Sequence, residues 1–75
     1  MFWLAYRQGD TRSVFIVEAS ALIIARMKAT IAVDGIDEHF VEGHALPPAA
    51  RKIPKRMVGR LLSAEEGRGL LEALT

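Results

Sequence analysis

Near the start of this chain, two strand-patterned runs flank a Gly-Asp pair, and no other local feature limits the fold as tightly. In FWLAYR the side chains alternate, with Phe2, Leu4 and Tyr6 on one face and Trp3, Ala5 and Arg7 on the other. Val14 to Glu18 (VFIVE) is β-branched and aromatic, again the composition of a strand. Between them, QGDTRS supplies turn chemistry at Gly9-Asp10. The pattern predicts a β-hairpin.

A helix is predicted next, over Ala19 to Val33 (ASALIIARMKATIAV), with Ser20 as its N-cap and Asp34-Gly35 as its exit. At helical periodicity Ile23, Ile24, Met27 and Ile31 form one stripe. Ala21, Ala25, Ala29 and Ala32 form a second. The isoleucine stripe is expected to cover the hairpin. The alanine stripe reflects either plain helix propensity or a second, close-approach contact surface, within the chain or at a dimer interface.

HFVEGH (His39 to His44) reads as a third strand that Gly43 ends or bulges, completing a ββαβ unit. Leu46-Pro47-Pro48 is a firm break. Beyond it, Pro54 and the spacing of Met57, Val58, Leu61 and Leu62 favour a short helix over Lys55 to Leu62, with a fourth strand over MVGRLL as the alternative. Ser63-Ala64-Glu65-Glu66 fits a capping box that opens a final helix, Ala64 to Leu74. Gly67 and Gly69 inside that helix each cost about 1 kcal/mol, so it needs something to lie against. The expected fold is a single small α+β domain over residues 1–75. A ββαβ unit with a three-stranded sheet fills 1–46, and a basic segment with one or two short C-terminal helices fills 47–75.

Composition sharpens this picture. The 75 residues are 51% hydrophobic and contain no cysteine, so neither a disulfide nor a thiolate metal site supports the fold. Packing must suffice, alone or with a second copy of the chain, and so much apolar surface on so short a chain invites self-association. The apolar run Ala21 to Ala25 is far too short to cross a bilayer. MFWLAYRQGD lacks the basic region of a signal peptide, and the expectation is a soluble cytoplasmic protein without a membrane partner. The net charge of +1 is split: residues 1–50 carry four basic and six acidic side chains, residues 51–75 six basic and three acidic. The chain is dipolar rather than basic.

The stretch RKIPKRMVGR concentrates Arg51, Lys52, Lys55, Arg56 and Arg60 as candidate phosphate or partner contacts. On a helix Arg56 and Arg60 would share a face. Yet no aromatic residue follows Phe40 and no Asn or Gln follows Gln8, so the side chains that stack on bases or read adenine are missing here. A solvated or internally paired cationic face is favoured. Glu38, His39, Glu42 and His44 crowd seven residues, but a strand puts at most Glu42 and His44 on one side, short of the three or four ligands a metal needs. Ser20 and Ser63 are explained as caps, and Gly67-Arg68-Gly69 lies in a helical pattern rather than after a strand, unlike a phosphate loop. Catalytic, cofactor and metal residues are therefore not expected. The reading is a non-enzymatic interaction or regulatory module that self-associates or binds a protein partner. Its candidate interface comprises Trp3, Ala21, Ala25, Ala29 and Ala32, or a sheet edge. A nucleic-acid-binding module using residues 51–60 is the alternative.

Overall fold

The structure, a computed structural model, describes residues 1–74, the side chains of Arg51, Ala73 and Leu74 excepted. It is an α+β fold in which strands β1 (Phe2–Gln8), β2 (Thr11–Val17), β3 (Phe40–Ala45) and β4 (Leu61–Ser63) form one antiparallel sheet in the order β3-β1-β2-β4. Helix α1 (Leu22–Ala32) follows the hairpin and α2 (Ala64–Leu74) follows β4. Short 3₁₀ turns occupy Ile36–His39, Pro48–Lys52 and Lys55–Met57.

The hairpin forms as its pattern predicts. Gln8 pairs with Thr11 across a two-residue turn, where Gly9 takes φ 62°. A positive φ at this first central position matches the right-handed twist of the strands, and glycine adopts it without a Cβ clash. The register then sorts the side chains. Phe2, Leu4 and Tyr6 lie opposite Val17, Phe15 and Ser13 on one face, while Trp3, Ala5 and Arg7 lie opposite Ile16, Val14 and Arg12 on the other.

Each face carries its own core. On the first, Leu4, Tyr6, Phe15 and Val17 pack with Ala25 and Ala29 of α1 and with Ile36. On the second, Val14, Ile16 and Leu62 pack with Ala50 and Ile53, and Leu70 of α2 adds its side chain. The C-terminal half thus folds back over the second face. It does so through an unusually close approach, because a Cβ on Gly67 would lie 2.5 Å from Val14 Cγ2.

Several expectations need correction. The sheet has four strands rather than three, since residues 61–63 extend and pair with β2 instead of continuing a helix from Lys55. Gly59 at φ 79° turns the chain and donates its N–H to the Ile16 carbonyl at 2.7 Å. Satisfying the backbone groups along the outer edge of β2 outweighs the local helical spacing. Helix α1 is shorter than Ala19 to Val33, and its cap is Ala21 with no side-chain hydrogen bond, so Ser20 does not act as the N-cap. The bulge in β3 falls between the pairs Ala5–Glu42 and Tyr6–Phe40, where Val41 is skipped, and not at Gly43. The capping box, in contrast, is present: the Glu66 N–H donates to Ser63 Oγ at 3.2 Å and the Ser63 N–H donates to Glu66 Oε1 at 3.3 Å.

Candidate functional site

The largest revision concerns which side of α1 faces inward. Ala25 and Ala29 are fully buried against the sheet, whereas Ile23, Met27 and Ile31 are 68%, 56% and 84% exposed. This reverses the expected roles of the two stripes. The physical reason is volume. Phe2, Leu4, Tyr6, Phe15 and Phe40 already fill the layer between sheet and helix, leaving room only for methyl groups. The alanine stripe is therefore an internal packing surface at Ala25 and Ala29, not an intermolecular one, and Ala21 and Ala32 lie exposed at its two ends.

The outer face is correspondingly apolar. Ile23, Met27 and Ile31 recur every four residues, on the side away from Ala25 and Ala29, with Ile24 and Thr30 partly buried beside them. Arg26 and Lys28 are the charged residues of α1; Arg26 borders this face together with Asp37, and Lys28 is drawn off it. Arg26 bonds Asp37 in bidentate fashion, at 2.9 and 3.1 Å, and its guanidinium lies 4.0 Å from the centre of the Phe40 ring. Lys28 Nζ donates to the Glu18 carbonyl at 2.8 Å. The result is an open shelf of large aliphatic side chains with its cations tied down at the margins. Sequence reasoning identified this stripe but assigned it to the core. The signal pointing the other way was the bulk already present at the even positions of β1.

The other candidate residues are dispersed. Trp3 is half-buried at the margin of the second core, its ring 5.7 Å from that of His44, and it is no bare surface patch. Lys52, Lys55 and Arg56 are exposed on two separate 3₁₀ turns, so the helical face that was to join Arg56 with Arg60 does not form. Arg60 lies 3.6 Å from Glu66, as half of an ion pair. The Arg51 side chain lies outside the described residues. Glu42 and His44 share one side of β3 and approach to 3.5 Å, while His39 sits in the preceding turn 3.3 Å from Glu38. Among the described residues, no three His, Asp or Glu side chains come together in a way that would hold a metal ion.

Among the described residues, one titratable group departs from its ordinary behaviour. Tyr6 is 1% exposed, and its phenol pKa is raised chiefly by burial and further by the Asp37 carboxylate, against a lowering from Arg26. Its hydroxyl has no hydrogen-bond partner among the described residues. The phenol ring is part of the first core.

Among the described residues no helix is long and apolar enough to cross a membrane. The chain matches no protein-family model, no curated protein and no solved structure.

Proposed function

We propose that the chain is a non-enzymatic interaction module that self-associates through the outer face of α1. The observation that carries this reading is the exposure of Ile23, Met27 and Ile31 in a domain whose two cores are otherwise closed. Contiguous apolar patches on small proteins mark contact surfaces.

A second copy is the partner that fits the spacing. Around Met27 the stripe is nearly palindromic, with Ile23 four residues before and Ile31 four after, and Ile24 and Thr30 three residues to either side. Two such helices crossing antiparallel on a two-fold axis place Met27 on its own symmetry mate and Ile23 on Ile31. The antiparallel arrangement also sets opposite helix dipoles side by side. Eleven residues give a helix about 16 Å long. One such pair buries less than the roughly 1,200 Å² of standard stable interfaces, so the dimer is dilution-sensitive rather than obligate.

Light scattering or sedimentation across a dilution series tests this directly. The expected result is a monomer–dimer equilibrium abolished by Met27→Glu, which sets two carboxylates against each other at the axis while leaving both cores intact. A wild-type chain that stays monomeric at about 1 mM, where an association worth about 4 kcal/mol is half complete, defeats the proposal.

The alternative is nucleic-acid binding through the basic segment. It has the exposed side chains of Lys52, Lys55 and Arg56 in its favour, but no common face to array them. It requires oligonucleotide affinity that falls steeply with salt and disappears in Lys55→Glu/Arg56→Glu.

A further inference from the structure

The second face of the sheet holds a different feature, at the end nearest the hairpin turn. Between β1, β2 and α2 lies a half-open hollow of about 350 Å³. Trp3 and Leu71 line its apolar part, and Arg7, Arg12 and Arg68 line its polar part. A space of this size is in the range that takes small molecules, and apolar walls with a few convergent polar groups are the usual makeup of such sites.

The arginines are arranged at a cost to the fold. Arg7 and Arg12 are direct cross-strand partners on the same face of the hairpin, a position where like charges repel. Arg68 reaches the hollow from α2. Among the described residues, no carboxylate lies within ion-pair distance of any of the three. Glu42 also borders the hollow, 3.5 Å from His44 and beyond ion-pair distance of the three arginines. Arg7 Nε donates to the Gly9 carbonyl at 3.0 Å, leaving its terminal nitrogens without a partner among the described residues. Guanidinium groups are the side chains best shaped to grip a planar or tetrahedral oxyanion through paired N–H donors.

We propose that this hollow binds a small amphipathic oxyanion, a carboxylate or phosphate monoester on a compact apolar body. The body rests against Trp3 and Leu71, and the anionic head neutralises Arg7, Arg12 and Arg68. This site is separate from the outer face of α1, and its occupancy does not depend on self-association.

Trp3 is the chain's single tryptophan, so its emission reports on the hollow directly. Hexanoate, hexyl phosphate, hexanol and inorganic phosphate are titrated separately at low salt, all four being optically silent. The expected result is a saturable change with hexanoate or hexyl phosphate, and the stronger of the two identifies the head group. Arg12→Gln and Arg68→Gln each weaken that binding about tenfold, the effect of losing one charge-assisted hydrogen bond. Arg60→Gln, which removes a cation away from the hollow, leaves it unchanged. Equal response to hexanol and the anions would reduce the hollow to an apolar crevice and overturn the proposal. Equal response to inorganic phosphate and hexyl phosphate would remove the apolar half of the site and overturn it too. So would the absence of saturation by either hexyl anion at about 1 mM. A second readout guards against variants that merely unfold. In ligand-free protein at low salt, Arg12→Gln raises the melting temperature by a few degrees, because it relieves the cross-strand repulsion. A fall would mean that Arg12 serves the fold rather than a ligand, and would sink the argument.

Discussion

Tyr6 shows how much a single side chain depends on its surroundings. Alternation along β1 places it with Phe2 and Leu4, but nothing local says that its ring meets that of Phe40 edge-on at 5.8 Å or that its hydroxyl ends without an acceptor among the described residues. Burial favours the neutral phenol in the folded state, so the folded pKa lies above the unfolded value of 10.0. The linked stability is complete below that unfolded value and is lost as pH rises through the higher, folded one. Thermal melts of the wild type should therefore lose ground to Tyr6→Phe as the pH climbs past the ordinary tyrosine range. At neutral pH the variant should be as stable as the wild type or slightly more so, since it deletes an unsatisfied buried hydroxyl. Tyr6 is the chain's only tyrosine, so phenolate absorbance follows it without assignment. A midpoint at the ordinary value in the folded protein would contradict its burial.

At the scale of elements, α2 is the instructive case. Ser63 and Glu66 announce its start, and reciprocal hydrogen bonds between them cap it. Its two glycines look alike in the sequence, as equal weaknesses in a helix. They differ entirely in context. A Cβ at Gly67 would meet Val14 Cγ2 at 2.5 Å and Val14 Cβ at 2.8 Å, whereas one at Gly69 would meet nothing within 4 Å. Gly69→Ala should therefore stabilise the protein by about 1 kcal/mol through helix propensity alone. Gly67→Ala gains the same propensity, but it forces α2 off the sheet and should destabilise by about 1–3 kcal/mol net. Denaturant melts of the two variants should move in opposite directions, and Val14→Ala should recover part of the Gly67→Ala loss. Equal shifts of the same sign would show that α2 does not press on β2 through this residue. Helix α1 carries the matching lesson. Its periodicity was readable, but the side facing the sheet was settled by the volume that β1 and β2 bring to the shared layer.

For the whole molecule, the balance of apolar surface is the governing quantity. The radius of gyration is 11.2 Å, close to the roughly 11 Å expected of a self-contained domain of this length, so one copy closes both of its cores. Much of what remains outside is the shelf on α1. If a second copy covers that shelf, folding and association are linked, and the thermal midpoint of the wild type rises with protein concentration. Met27→Glu should make the midpoint independent of concentration without lowering its dilute-solution value. A wild-type midpoint that does not move across a wide concentration range would speak against the linkage.

The hairpin, the presence of α1, the start and extent of α2 and the general α+β class were all legible in the linear chain. They rest on interactions among residues a few positions apart: strand alternation, helical periodicity, a Gly-Asp turn and a reciprocal cap. The inward turn of the alanines, the close seat of Gly67 and the gathering of Arg7, Arg12 and Arg68 around one hollow were not, and the fourth strand was legible only as the alternative to a helix over Lys55 to Leu62. Each depends on which distant segment supplies the opposing volume, backbone partner or charge. Local propensities differ by only about 1 kcal/mol per residue, which is too little to hold out against a sheet edge seeking hydrogen bonds or a layer already full of aromatic rings.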